Sequence, residues 1–239
     1  MPKPCLPLQN RLLAALPPEV QQRLLPHLEY VSLALGEMLS DASRPMSRVY
    51  FPADSIVSIL YVMENGASAE IAVIGNEGLV GVSAFMGGAP STGQAIVQSA
   101  GHAYALPATH FLHEFSRHGE MLLLMLRYTQ ALMAQMVQTA ACNRHHSIDQ
   151  QLCRWLLLSL DCLSGNQLCM TQELIANMLG VRRAGVTHAA GKLQKLKIIE
   201  YRRGHITVLD RVRLEKLSCE CYAVVRAEMD RLLPPPAKS

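Results

Sequence analysis

The middle of the chain, residues 109–143, contains no proline and a single glycine, Gly119. Its apolar residues recur with the period of an α-helix, which predicts one long helix. Between residues 119 and 143 only Glu120 and Arg127 carry charge, so most faces of this helix must be covered. We expect one side to cover a neighbouring domain and another to meet the same helix of a second subunit; a central helix in the core of a monomer is the alternative. The residues expected at the subunit contact are Met125, Leu126, Leu132, Met133 and Met136.

The segment before this helix is typical of β-structure. Short runs rich in β-branched and aromatic residues, such as residues 49–51 and 56–62, are separated by turn signals such as Asn65-Gly66. Several short strands at such spacing predict a small barrel or sandwich over residues 29–108. Residues 9–28 are interrupted by two prolines and predict two short helices or one broken helix.

The segment after the long helix differs in both charge and pattern. Residues 1–143 carry 7 Lys and Arg against 10 Asp and Glu, whereas residues 144–239 carry 15 against 9. A basic end on an acidic remainder indicates that an anionic polymer contacts only that end. The pattern predicts helix, helix, helix, hairpin and one closing helix over 211–233. Thr171 is a good N-cap and Gly180 a good C-terminal stop for the second of these helices.

Residues 170–193 have the pattern of a helix-turn-helix. Leu174, Ile175, Leu179, Val186 and Leu193 are placed to form a shared core, which leaves a polar face on the second helix. Helix-turn-helix proteins insert that helix into the major groove of DNA, where arginine pairs with guanine and a later lysine suits a phosphate. The hairpin tip would contact the backbone as a wing. The residues expected to contact DNA are Thr171, Gln172, Arg182, Arg183, Thr187, His188, Lys192, Arg202 and Arg203.

The segment TQELIANMLGVRRAGVTHAAGKLQKLKII resembles the carboxy-terminal third of the Crp/Fnr transcription regulators, and YFPADSIVSIL and IAVIGNEGLVGVSAFMGG resemble their jelly-roll sensor. The resemblance covers about residues 12–235. It implies an α+β fold: an N-terminal double-stranded β-roll of the cyclic-nucleotide-binding type with flanking helices (residues 1–115), a long dimerisation helix (116–143) and a winged helix-turn-helix (144–239). It also implies a homodimer on a pseudo-palindromic site in double-stranded DNA, with RNA polymerase as a further partner.

The recognition helix departs from the family pattern. Arg183 matches the family's base-reading arginine, but Ala184 stands where many members have a glutamate, and His188 where many have a second arginine. The operator is therefore expected to differ from the family's commonest half-site.

The sensor segment departs further. Members that bind cyclic nucleotides have a glutamate that accepts from the ribose and an arginine that pairs with the phosphate; here Val82 and Ser91 stand at those positions. Because charge-assisted bonds are the strong ones, we expect no cyclic nucleotide bound in the usual way. Another small-molecule effector could use the hydroxyl and amide groups of this region, or these groups are simply solvated. The pocket residues expected are Ser83, Ser91, Thr92 and Gln94.

No cofactor or metal ion is expected. The seven cysteines include no C-x-x-C pair, which gives little support for structural zinc, and an iron–sulfur cluster needs four thiolates near one another. We interpret Cys219 and Cys221 as packed thiols, with a redox or metal switch as the alternative. His110, His113 and His118 are expected on a solvated face rather than at a metal or haem. Residues 144–146, Arg-His-His, lie at the junction after the long helix, where we expect either a hinge or the capping of the helix by basic residues.

The function predicted is a DNA-binding transcription regulator of bacterial type, not an enzyme. The chain has no run of about 18 uncharged apolar residues, which excludes a membrane helix, and its start lacks a secretory core, so a cytoplasmic location is expected. Two alternatives stay open: a protein-interaction module whose winged helix is only structural, and a metal-dependent cupin-type enzyme. Residues 29–101 contain no histidine, which argues against the cupin.

Overall fold

The computed structural model describes residues 9–41, 43–87, 93–163 and 165–233. Two short helices come first, α1 (Arg11–Ala15) and α2 (Pro18–Leu24), as the proline break predicts. Asn10 caps α1 by accepting from the backbone of Leu12 and Leu13. Its side-chain amide also donates to the carbonyl oxygens of Pro52 and Gly78, at 3.0 and 2.8 Å. The cap therefore fixes α1 to the β-structure that follows.

That β-structure is a roll of two antiparallel sheets, as predicted. Its strands are β1 (Glu29–Leu33), β2 (Met38–Ser40), β3 (Arg48–Pro52), β4 (Ile56–Val62), β5 (Ser68–Ile74), β6 (Gln94–Ser99) and β7 (Gly101–Pro107). One sheet has the order β1-β7-β3 and the other the order β2-β6-β4-β5. Fully buried side chains such as Phe51, Ile56 and Leu106 contribute to the core. Burying the inner faces of both sheets is what stabilises a two-sheet β-fold.

After α3 (Ala108–Phe115) comes the long helix, α4 (Glu120–His145). The Tyr128 hydroxyl donates to the Leu79 carbonyl at 2.8 Å. The Gln135 side chain accepts from the Val73 N–H at 2.7 Å and donates to its carbonyl at 3.2 Å. Because β5 is an edge strand, this amide satisfies backbone groups that no strand pairs. Among the described helices, none has the length and apolar content that crossing a membrane needs.

Only part of the expected subunit contact on α4 is free. Met125 and Leu132 are buried within their own chain, which corrects their assignment to the contact between subunits. The reason is geometric: positions 125, 128, 132 and 135 lie on one helix face, and the hydrogen bonds of Tyr128 and Gln135 place that face on the β-roll. Leu126 and Met133 are both more than half exposed, and Met136 is partly buried.

The carboxy-terminal unit contains α5 (Ile148–Asp161), β8 (Gln167–Cys169), α6 (Gln172–Leu179), α7 (Arg183–Lys195), β9 (Ile199–Arg202), β10 (His205–Val208), α8 (Arg211–Leu217) and α9 (Glu220–Leu232). The strand β8, which was not predicted, extends the hairpin to the sheet order β8-β10-β9. The predicted closing helix is wrong in one respect: it is two helices. Ser218 and Cys219 have extended backbones, and this break lets α9 turn back along α4.

Candidate nucleic-acid interface

The helix-turn-helix consists of α6 and α7 joined by a tight turn. Thr171 caps α6, and its hydroxyl accepts from the Leu174 N–H at 3.2 Å. Gly180 ends the helix with φ 64° and ψ 33°, the left-handed conformation that glycine adopts without strain. Arg182 is the N-cap of α7. Thr171 and Gly180 were predicted from the sequence to begin and end α6; the start of α7 at Arg183, with Arg182 as its N-cap, was not.

The core between α6 and α7 is apolar and closely packed. Ile175, Leu179, Val186 and Leu193 are buried, and so is the small Ala176. Of the predicted core, only Leu174 stays partly exposed. Because the inner face of α7 is fixed in this way, its outer face has a defined orientation.

That outer face is exposed and basic. Arg182, Arg183, Thr187, His188 and Lys192 are all exposed. Arg183 lies 3.7 Å from the Glu173 carboxylate and Lys192 lies 2.6 Å from that of Asp149. Exposed ion pairs of this kind contribute about 1 kcal/mol or less, so an incoming phosphate or base can displace them.

Two polar side chains connect the start of α6 to α7. The Thr187 hydroxyl donates to the Gln172 side-chain oxygen at 2.7 Å. Thr171, Gln172, Arg183 and Thr187 therefore form one continuous polar surface. The structure brings these four predicted residues together, whereas Lys192 lies further along, beside the first turn of α5.

The hairpin of β9 and β10 is a wing with a two-residue tip. Arg203 and Gly204 both have positive φ, 51° and 83°, which is typical of a type I′ turn. The Met170 N–H donates to the Gly204 carbonyl at 2.6 Å. This bond places the exposed Arg202 and Arg203 next to Thr171, at the edge of the same polar surface.

A small cavity, as seen in the described part of the chain, lies in the region where the family's ligands would lie. It measures about 90 Å³ and lies between the β-roll and α4; Ser83 and Gln94 are among its lining residues. No lining residue in the described part of the chain is charged. Pockets that bind drug-sized ligands have volumes of about 300–1,000 Å³, and this cavity lies well below that range. The other two predicted pocket residues, Ser91 and Thr92, lie outside the described residues.

A larger cavity, of about 330 Å³, lies where the β-roll, α4, α5 and α9 meet. Both acidic and basic side chains line it, including Glu77, Asp161 and Arg226. The residues come from segments far apart in sequence, so the sequence pattern gave no indication of it.

Two groups of potential metal ligands have different surroundings. The ring of His110 stacks on that of His27 at 3.7 Å, and no third ligand joins His110 and His113 in the ranges that the structure describes. By contrast, the expected packed thiols Cys219 and Cys221 lie beside two further ligating side chains, Cys142 and His146. This group was not predicted from the sequence; the one local signal for it is that Cys142 and His146 are four residues apart, on one face of a helix.

Two family models match the chain. The cyclic nucleotide-binding domain matches residues 30–118, and the Crp-like helix-turn-helix domain matches residues 150–217. The first match covers the β-roll and α3, and the second covers α5 to α8; α4 lies between the two matches, and α9 follows the second. No curated protein sequence matches the chain.

Solved structures of the same architecture include several regulators. FixK2 from Bradyrhizobium japonicum has 14% identity and a TM-score of 0.69, and the match covers 80% of this chain and 98% of FixK2. The c-di-GMP-responsive regulator CLP from Xanthomonas campestris has 14% identity and a TM-score of 0.63, with 80% and 98% covered. A CRP-family transcriptional regulator from Thermus thermophilus has 16% identity and a TM-score of 0.62, with 79% and 96% covered. The predicted order of β-roll, long helix and winged helix is thereby confirmed.

Proposed function

Because the chain belongs to the Crp/Fnr family of transcription regulators, we propose that it binds double-stranded DNA as a homodimer at a pseudo-palindromic operator. The observation that carries the proposal is the exposed basic face of α7, presented by a closely packed helix-turn-helix beside a basic wing. A dimer with two-fold symmetry presents two such helices about one turn of DNA apart.

The residues of this surface divide between two kinds of contact. Arg183, Thr187 and His188 lie on the first two turns of α7 and Arg182 is its N-cap; this is the part of a recognition helix that reaches base edges. Lys192 and the wing residues Arg202 and Arg203 contact phosphates of the DNA. Thr171 and Gln172, at the start of α6, also contact the DNA backbone. Phosphate contacts position the protein, whereas base contacts choose the sequence.

The dimer forms through the exposed stripe of α4. Its members are spaced alternately three and four residues apart, which is the heptad pattern of a two-stranded coiled coil. Four large apolar members are 52–68% exposed, and exposed apolar stripes of this kind mark contacts between proteins. The members of the stripe are Leu123, Leu126, Gln130, Met133, Val137 and Ala140.

The β-roll acts as a sensor that does not take a cyclic nucleotide in the family's usual way. Its cavity of about 90 Å³ is uncharged over the described lining, so nothing there would neutralise a phosphate. A different effector would act by binding one state of the dimer better than the other. A regulator of this kind works on chromosomal DNA in the cytoplasm, has RNA polymerase as its further partner, and has no catalytic role.

Selection of bound sequences from a random duplex pool tests the proposal. The wild-type protein and Arg183→Ala are used at two salt concentrations, and Arg48→Ala, on the β-roll, is the matched control. Enrichment of a palindrome by wild type and Arg48→Ala, but not by Arg183→Ala, is the expected result. If the protein dimerises but enriches no sequence in any form, a structural winged helix in a protein-interaction module explains the surface better.

A further inference from the structure

Four metal-ligating side chains meet where the long helix ends and the last helix begins. Cys142 lies in the last turn of α4, and His146 is the C-cap of that helix. Cys219 is the N-cap of α9, and Cys221 lies in its first turn. The three cysteines are at most 5% exposed, and the His146 side chain is 17% exposed. We infer that these four residues bind one Zn²⁺ ion.

The distances fit a single tetrahedral ion. All four ligand atoms lie within 4.8 Å of one another. A zinc ion with bonds of about 2.3 Å to sulfur and about 2.0 Å to nitrogen holds two sulfurs about 3.8 Å apart, and a sulfur and a nitrogen about 3.5 Å apart. Here the Sγ atoms of Cys142 and Cys219 are 3.6 Å apart, and Cys221 Sγ is 3.4 Å from His146 Nδ1. The chain thus already provides two edges of the tetrahedron.

Neighbouring side chains orient the ligands. His146 Nε2 lies 3.3 Å from a carboxylate oxygen of Glu220, so a proton on Nε2 leaves Nδ1 free to face the sulfurs. Metal-binding histidines are held in this way by a carboxylate or carbonyl. The Gln138 amide donates to Cys221 Sγ at 3.1 Å, a contact that stabilises a thiolate. Both contacts match the outer shell of a zinc site.

A buried positive charge balances the site. Three thiolates, one neutral histidine and Zn²⁺ together carry a net charge of −1. Arg154 is 5% exposed; it donates to the Thr139 hydroxyl at 2.6 Å, and its Nε has no hydrogen-bond partner in the described part of the chain. Burial raises the pKa of the Cys142 thiol, whereas the Arg154 charge favours its thiolate. Binding of the ion displaces three thiol protons.

The site is a structural one. Four protein ligands complete the tetrahedron and leave no open position for a substrate, and three cysteines with one histidine are an established structural zinc set. The ion would join the end of the proposed dimerisation helix to α9 and so fix the carboxy-terminal unit on it. This inference goes beyond the proposed function, because the DNA-binding surface and the α4 stripe do not include these residues.

Metal analysis of the full-length protein, purified in reductant without a histidine tag, tests the inference. We expect about one zinc per chain. After replacement by Co²⁺, we expect thiolate-to-cobalt charge-transfer absorption and the strong visible bands of a tetrahedral ion. Cys219→Ser and Cys221→Ser should lose the metal and the bands. Cys169→Ser, which changes an exposed cysteine, and Cys153→Ser, which changes a buried cysteine outside the group, should keep both.

A milder pair of variants covers the case in which the serine variants do not fold. Glu220→Gln alters an exposed side chain that only orients His146, and it should weaken zinc about tenfold or more in competition with a chelator. Glu228→Gln, on the same helix, should leave the affinity unchanged. Three results would overturn the inference: no zinc and no cobalt bands in reduced wild-type protein, bands that persist in Cys219→Ser, or a Cys142–Cys219 disulfide in place of the metal.

Discussion

The indole nitrogen of Trp155, on α5, donates to a carboxylate oxygen of Glu70, on β5, at 3.1 Å. The other Glu70 oxygen lies 2.5 Å from the Ser58 hydroxyl, which also lies 2.6 Å from the side-chain oxygen of Gln98. One hydroxyl proton cannot serve both acceptors. A protonated Glu70 resolves the conflict, because it donates to Ser58 and lets Ser58 donate to Gln98. Burial raises the pKa of Glu70 to about 7, against the opposing effects of Ser58, Arg154 and Trp155.

This carboxyl makes stability depend on pH. The folded protein holds the Glu70 proton up to about pH 7, whereas the unfolded chain releases it near 4.5. The folded state therefore binds more protons between these values, and the free energy of unfolding falls as pH rises through them. The two pKa values differ by about 2.5, which corresponds to about 3 kcal/mol in the free energy of unfolding. Below pH 4.5 the contribution is fully present, and above pH 7 it is lost.

Glu70→Gln isolates this effect, because glutamine keeps the shape and cannot ionise. We expect urea unfolding to show the variant gaining stability relative to wild type between pH 5 and pH 8, by up to about 3 kcal/mol. Glu64→Gln, which changes an exposed glutamate on the β4–β5 turn, is the control and should show no such trend. A difference between Glu70→Gln and wild type that stays constant with pH would show that Glu70 does not titrate in this range.

Arg183 is the residue on which sequence recognition should depend most. Its side chain is 67% exposed and forms a surface pair with Glu173, and because such a pair is weak, Arg183 can turn toward a base without a large cost. We expect Arg183→Ala to weaken binding to the selected operator by about 1–3 kcal/mol and to leave binding to random duplex almost unchanged. Fluorescence anisotropy with both duplexes measures the two affinities. Equal losses on both would assign Arg183 to a phosphate.

The wing should contribute through charge alone. Arg203 lies at an exposed two-residue tip, the position at which we propose that the wing contacts phosphates. We expect Arg203→Ala to reduce the slope of log affinity against log salt by about one unit on operator and random DNA alike. Arg203→Lys, which keeps the charge, is the matched control and should keep the slope. If both variants retain the wild-type slope, Arg203 is not at the interface.

Local signals predicted much of the fold. Thr171 and Gly180 specify where α6 begins and ends through short-range capping, and Arg203-Gly204 specifies the wing turn, so these features need no tertiary information. The division of α8 from α9 was not predictable in this way. The break follows from extended backbone at Ser218 and Cys219, neither of which is a strong helix breaker, and it is favoured by the packing of α9 on α4.

The candidate sites divide in the same manner. The DNA-binding face could be listed from the sequence because its residues lie within one motif. The zinc ligands could not, because Cys142 and Cys219 are 77 residues apart and meet only when α9 folds onto α4. The helical period also could not show which apolar side of α4 covers the β-roll. In the structure, Met125 and Leu132 lie on that side and are buried.

The remaining apolar side of α4 supplies the last prediction. Met133 is 52% exposed at the centre of the α4 stripe. In a contact with two-fold symmetry each substitution occurs twice, once from each subunit. Met133→Asp should raise the dimer dissociation constant at least about 100-fold, or about 3 kcal/mol, because two carboxylates would lose water in an apolar seam. Met86→Asp makes the same change at an exposed methionine on the β-roll and should leave the dimer intact. Sedimentation velocity over a concentration series distinguishes these results. A Met133→Asp protein as dimeric as Met86→Asp would place the subunit contact away from this stripe.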